Sequence, residues 1–407
     1  MVTQQEGKQI KIYFTGDIHS NIPYSIDLVE KMFDFKKDKS SVLIDAGDFF
    51  QGSPFFNIFG GNPEKKIYKE LYDISIPGNH GFKIAKSLRN KANIVNANIY
   101  MGDEPVFRQF QILKRQGMKI GFVGIISKEA FDAIEMKERK GLQFKDPILV
   151  FESLVPKLRS KVDAVILVSH SGVEYDKKIS REIKGVDVII SSHCHSSFKK
   201  NDKLNTKMIK APEMGMGFGE INIDNKFAIG LKIYKINNKS KLFNKKNLLF
   251  FNRYLKKYYQ GMSPVVLLVD SNFSNKYDNR KALCKYISGR VGKYFNSDIC
   301  VINYFCLRDV FKQGNVTKED VYRIAPLETK LVKFATDIKE FNEIISGIRR
   351  ETKSSLCMYK NINDGKHLQI ITTEYLFNNY FRDCLKDKKY KQVIDLVEFI
   401  SKYLFKK

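Results

Sequence analysis

Five of the six histidines in this 407-residue chain stand directly after short apolar runs. The runs are IKIYFTGDIH (10–19), ISIPGNH (74–80), DAVILVSH (163–170) and DVIISSHCH (187–195). A further run, VLIDAGD (42–48), ends on a carboxylate instead. Apolar stretches of this length, bounded by glycine and polar residues, read as buried strands. Between them the spacing predicts helices over 24–36, 64–72, 82–91, 147–160 and 175–184. Strands alternating with helices predict an α/β fold with mixed sheets. In open α/β sheets the functional crevice lies at the carboxyl ends of the strands, so all five motifs would meet there. Further strands are expected at 93–97 and 118–126. Antiparallel strands at 207–211, 218–224 and 227–236 would close the domain.

The donors in these motifs are Asp17, His19, Asp48, Asn79, His80, His170, His193 and His195. Side chains two apart on extended backbone face the same way, so Asp17 and His19 are expected to converge on one point. Each motif has a plainer reading alone: Asn79 as a turn cap, Asp48 as a helix cap. Together and in order they suit metal. Asp17, Asp48, Asn79, His19, His170, His193 and His195 form a borderline N/O set for Zn, Mn or Fe that needs no thiolate. They are too many for one ion. Sharing a carboxylate, they suit two divalent ions about 3.5–4 Å apart, a pair that ionises a shared water for in-line attack on phosphorus. Glycines at 16, 47, 78 and 172 allow tight turns out of the strands.

A content of 43% hydrophobic and 28% charged residues predicts a soluble globular protein. No apolar run approaches the roughly 20 residues that span a bilayer, so no membrane association is expected. The start MVTQQEGKQIK lacks a secretory apolar core, and a cytoplasmic location follows as the expectation, or a periplasmic or secreted one if a leader was trimmed. Cys194, Cys284, Cys300, Cys306, Cys357 and Cys384 form no CxxC pair and read as buried free thiols. The net charge is +25, and residues 231–407 hold 35 Lys and Arg against 17 Asp and Glu. That half would attract phosphates or nucleic acid. Its lysines are dispersed rather than striped with aromatics, which makes nucleic acid the lesser partner.

The string GDFFQGSP and the order GDIH, GDFFQG, GNH, SHSG, HCH resemble the calcineurin-like metallophosphoesterases, within their 5′-nucleotidase / UDP-sugar hydrolase branch. The resemblance implies a four-layer α/β/β/α sandwich over 1–236. It implies one metal on Asp17, His19 and His195, another on Asn79, His170 and His193, and Asp48 between them. His80 would lie beside the scissile phosphate, donating to its oxygens or protonating the leaving group. The branch also carries an aspartate shortly after this histidine, to orient it; here the motif reads GNHGFK, with Lys83 in that place. Another carboxylate would have to compensate, or Lys83 would point into solvent.

The polar, basic stretch 237–262 reads as a linker running into an amphipathic helix, and residues 263–407 as a second, smaller α/β (α+β) domain of the branch. DICVINYFCLR keeps Asn303 and Arg308 of that domain's substrate loop but loses its glycines. The loop expected to stack a base reads Pro326-Leu327-Glu328-Thr329, with Leu327 for the aromatic and Thr329 for an asparagine, while Tyr375 and Phe377 remain as aromatics. The tail 388–407 has helical spacing. A 5′-nucleotidase-like hydrolase of nucleotides is the leading expectation. A metal- and nucleotide-binding protein of low turnover is the alternative, and a phosphodiesterase or nuclease the lesser one.

Overall fold

The computed structural model describes residues 9–196, 198–201, 206–326, 329–351, 356–362, 367–382 and 389–405. The chain forms two compact units, Met1–Leu255 and Lys256–Lys407.

In the first unit β1 (Ile10–Thr15) runs parallel to β2 (Ser41–Asp45), with Phe14 opposite Ile44, and β3 (Ile74–Ser75) continues the sheet. A second sheet holds β4 (Phe110–Arg115), β5 (Met118–Ile126), β6 (Ala164–His170), β7 (Val188–Ser191), β8 (Lys200–Asn201) and β9 (Lys207–Lys210), in the order β8-β9-β7-β6-β5-β4. The first sheet is completed on the far side of β1 by antiparallel β10 (Gly217–Ile223) and β11 (Ile229–Lys235).

Period-two patterning explains how the sheets meet. Ile10, Ile12 and Phe14 of β1 share one buried cluster with Ile120, Phe122, Ile166, Val168 and Ile190 of the second sheet. Alternate residues of the second sheet, Val123, Leu167 and Ile189, pack outward on α4 (Pro147–Arg159) and α5 (Val173–Glu182). The first sheet's outer face takes α1 (Ile26–Phe35), where Phe35 stacks on Tyr13 at 3.8 Å between centroids. The helices α2 (Glu64–Leu71) and α3 (Phe82–Leu88) follow β2 and β3. Two sheets face to face with helices outside make the expected four layers.

Three local expectations are corrected. Residues 93–97 form no strand, only single bridges from Ile94 to Ser75 and from Val95 to Arg108. The antiparallel expectation for 207–211 holds on one side only: β9 pairs antiparallel with β8 but in parallel with β7. The start of 237–262 is no free linker: Asp27 of α1 accepts the Lys239 and Ser240 N–H groups, and Glu30 accepts those of Asn244 and Lys245. The amphipathic helix itself is α6 (Asn252–Met262).

In the second unit β12 (Val265–Val269) pairs with β14 (Gly314–Thr317). Its main sheet comprises β13 (Ile299–Asn303), β15 (Lys330–Asp337), β16 (Leu356–Lys360), β17 (His367–Thr373) and β18 (Tyr390–Asp395), in the order β16-β13-β17-β15-β18. One face packs on α7 (Arg280–Tyr294) and α9 (Leu396–Tyr403), the other on α8 (Ile338–Glu351). The tail is therefore half strand. Tyr390–Asp395 pairs with β15 as the edge strand of the sheet, and Asp395 then caps α9 by accepting the Val397 N–H at 2.8 Å.

Candidate metal centre

The carboxyl ends of β1, β2, β3, β6 and β7 carry the donors, but not by strand alternation. Asp17 and His19 have φ of 53°, Asp48 has 54° and His193 has 82°. The chain leaves β1, β2 and β7 through left-handed turns, which correct the extended-backbone route by which Asp17 and His19 were to converge. Such conformations cost of order 1–3 kcal/mol each and persist where surroundings hold them. Here backbone bonds do so: Asp17 N–H donates to Gly47 O at 3.0 Å, and His19 N–H to Asp48 O at 2.8 Å. Gly47, at φ 94°, leaves room for the His170 ring, which a Cβ would meet at 2.5 Å.

Ligand atoms of Asp17, His19 and His195 lie within 4.8 Å of one another, as do those of Asp48, His170 and His193, and those of His19, Asp48 and His80. Hydrogen bonds on the far ring nitrogens set which nitrogen faces inward. His19 Nδ1 contacts Gln51 O at 2.9 Å, turning Nε2 toward His195 Nε2 at 3.3 Å. His170 Nδ1 contacts Ala46 O at 3.0 Å, turning Nε2 toward Asp48 Oδ2 at 3.3 Å and Asn79 Oδ1 at 3.2 Å. Asn79 Oδ1 also lies 3.1 Å from His193 Nδ1. Carbonyl partners behind imidazoles are the outer support that metal-binding histidines use. Asp48 Oδ1 accepts the His80 N–H at 2.8 Å, and the His80 ring meets that of His19 edge-on at 5.1 Å.

The electrostatics suit a cation. Burial penalises the Asp48 charge, but His170, His80 and His19 together hold its carboxyl far below the usual range. Burial also opposes a charged His170, and Asp48 outweighs it, lifting the imidazole to about 9. His193 is pushed down to about 4 by burial and by His170, and burial lowers His19 as well. Ionised carboxylates beside His19 and His193, whose imidazoles resist protonation, favour a divalent cation, and His170 would give up the proton that Asp48 holds on it when it ligates. Every donor predicted in the first unit is thus gathered into one cup, and the residues fit the metals that the motifs imply.

Three supporting residues escaped sequence reading. The Ser192 hydroxyl donates to Asp17 Oδ2 at 2.7 Å. Asp176 of α5, fully buried, accepts from Ser169 at 2.6 Å and Ser191 at 2.5 Å, the residues just before the donors of β6 and β7. Gln51 stood inside a quoted motif with no role assigned. An acid in the first turn of a helix reads as a cap, which hid Asp176.

In the second unit Asn303 ends β13, half-buried, and Arg308 is exposed, its N–H donating to Ile324 O at 2.7 Å. Arg280 donates to Leu307 O at 3.3 Å and lies 5.9 Å from the Tyr304 ring centroid. Leu327 and Cys384 lie outside the described residues. Thr329 is buried, and Phe377 is a core residue 5.3 Å from Phe334 and 4.6 Å from Tyr390, so of the two aromatics only Tyr375 is exposed. Cys194, Cys284, Cys300, Cys306 and Cys357 are free thiols, although Cys194 and Cys306 are only partly buried. Among the described residues no helix is long and apolar enough to cross a membrane.

Residues 10–197 match the calcineurin-like phosphoesterase family. The 5′-nucleotidase of Rattus norvegicus is 28% identical over 221 residues, 46% of this chain and 38% of that protein. Endonuclease YhcR of Bacillus subtilis is 22% identical over 413 residues, 84% of this chain and 33% of that protein. The chain thus spans between a third and two fifths of the length of these relatives. Among solved structures, a 5′-nucleotidase precursor from Thermus thermophilus superposes with a TM-score of 0.73 at 19% identity, covering 97% of this chain and 96% of that one. That likeness extends the shared fold to both units.

Proposed function

Because residues 10–197 match the calcineurin-like phosphoesterase family, we propose that this chain is a metal-dependent phosphoester hydrolase whose substrate is a nucleotide. The observation that carries the reading is the convergence of buried Asp17, His19, Asp48, Asn79 and His170 with half-buried His193 and exposed His195 on one cup. Asp17, His19 and His195 would hold one cation and Asn79, His170 and His193 a second, with Asp48 available to both. Divalent Zn, Mn or Fe at these positions supplies an activated water and draws charge from the phosphoryl oxygens. The chain's own part is orientation and proton donation. Gln51 O and Ala46 O fix the tautomers of His19 and His170. Half-buried at the cup, His80 donates to a phosphoryl oxygen or to the leaving group.

The nucleotide assignment draws on the 5′-nucleotidase relatives and on Asn303 and Arg308 of the second unit. The planar fork of Arg308 suits a phosphate or a ribose. Purified protein should contain about two divalent ions per chain by elemental analysis and release phosphate from nucleoside 5′-monophosphates. His80→Ala should lower kcat by about 10²–10⁴-fold with the metal count unchanged. Bound metal with no hydrolysis across a phosphoester screen would move the chain to the low-turnover binding reading. A chain that retains no metal would overturn both.

The match to Endonuclease YhcR over most of the chain and the basic second half favour nucleic acid as a second substrate reading. Nucleotide release from single-stranded DNA, falling steeply with salt, would select it.

A further inference from the structure

We propose that Glu135 positions His80 through Gln51, replacing the carboxylate that residue 83 does not supply. The inference rests on the proposed hydrolase reading for its kinetic consequence, though not for its geometry. Lys83 is exposed, and its backbone N–H donates to Glu138 Oε2 at 2.9 Å. Glu135 and Glu138 both belong to the short helix Met136–Arg139 and its N-cap, so one turn reaches the loop that follows β3 at two places.

Gln51 links that turn to the cup with every polar group it has. Its Oε1 accepts the Gly81 N–H at 2.7 Å, and its Nε2 donates to Glu135 Oε1 at 3.0 Å. Its backbone O holds His19 Nδ1 at 2.9 Å, and its N–H donates to Ser20 Oγ at 3.2 Å. Gln51 itself sits at φ 63°. A primary amide has two nearly isosteric orientations, and only its partners decide between them. The Gly81 N–H requires the oxygen, and the Glu135 carboxylate requires the NH₂. Without Glu135 the amide loses the partner that anchors its NH₂, and Oε1 is free to swing away from the Gly81 N–H. Gly81 directly follows His80, whose own N–H is held by Asp48 Oδ1 at 2.8 Å. Fixing both N–H groups fixes the backbone from which the imidazole projects.

The other neighbours agree. Lys137 Nζ lies 2.7 Å from Glu135 Oε2. Burial works against the Glu135 charge, yet Lys137, the Gln51 amide and the His80 imidazole outweigh it and hold the carboxyl below its usual range. The carboxylate is therefore ionised, and its bond to Gln51 is charge-assisted.

The experiment compares the full-length, Mn²⁺-loaded protein with Glu135→Ala and Glu135→Gln, reading steady-state nucleotide hydrolysis and amide exchange at Gly81. Glu135→Ala should lower kcat by about 10–100-fold, the scale of outer-shell losses, with KM unchanged and Gly81 exchange accelerated. Glu135→Gln should restore both, since its amide oxygen accepts the same N–H. Overturning results are wild-type kcat and Gly81 protection in Glu135→Ala, a change confined to KM, or no rescue by Glu135→Gln. If the wild type hydrolyses no phosphoester, the hydrolase reading fails separately and Gly81 exchange alone decides the positioning role.

Discussion

Gly78 has no side chain because Asp48 occupies the space: a Cβ there would overlap Asp48 Oδ1 and stand 2.5 Å from its backbone nitrogen. The displaced neighbours are backbone and a shared ligand, and neither can swing aside. Gly78→Ala should therefore cost at least the roughly 1–3 kcal/mol of overpacking in a tight interior and lower bound metal together with turnover. Elemental analysis beside thermal melting checks this, and a variant with full metal content and wild-type melting refutes it. At this scale most of the cup was legible. Asp and His donors at strand ends are chemically conspicuous, so the seven proposed ligands and His80 could be named from the motifs. Their tautomers could not, because these depend on carbonyls at Gln51 and Ala46 that sequence distance separates from His19 and His170.

Helix α5 shows how one element supports two others. Its Asp176 ties Ser169 at the end of β6 to Ser191 at the end of β7, and burial raises its carboxyl to about 7 against both hydrogen bonds. Asp176→Ala would leave two buried hydroxyls without their acceptor, at about 1–3 kcal/mol for each group left unsatisfied. The same change should weaken metal binding by about 10–100-fold, read by competition with a chelator. Metal affinity that stays at the wild-type value would reduce Asp176 to a packing residue. Element positions were readable where apolar period and length agreed, as for β1, β5, β6 and α4. They were misread where pairing decided the outcome. The pattern of 207–211 fits a strand of either direction, and its neighbours make β9 parallel to β7 and antiparallel to β8. The run from Tyr390 has helical spacing, yet the open edge of β15 captures it as a strand.

For the molecule as a whole, buried acids make stability depend on pH. Glu64 is fully buried at the start of α2, and desolvation raises its carboxyl from 4.5 to about 7. The folded chain binds this proton more tightly than the unfolded chain. Its contribution is therefore complete below about 4.5 and is lost as pH rises through 7, a swing on the order of 3 kcal/mol. Glu64→Gln should melt ever higher relative to wild type between about pH 5 and 7.5, with a constant gap above once the folded-state proton is gone; a pH-independent gap contradicts the assignment. The sequence by itself determined the α/β class, the two-part organisation and the chemical nature of the cup, because apolar periodicity and donor type are local properties. Tertiary structure alone decided the left-handed turns that aim Asp17 and His19, the direction of β9, and the carboxylate that reaches Gln51. Each of these depends on which distant backbone stands alongside, and 32 positions separate His19 from Gln51, 84 separate Gln51 from Glu135.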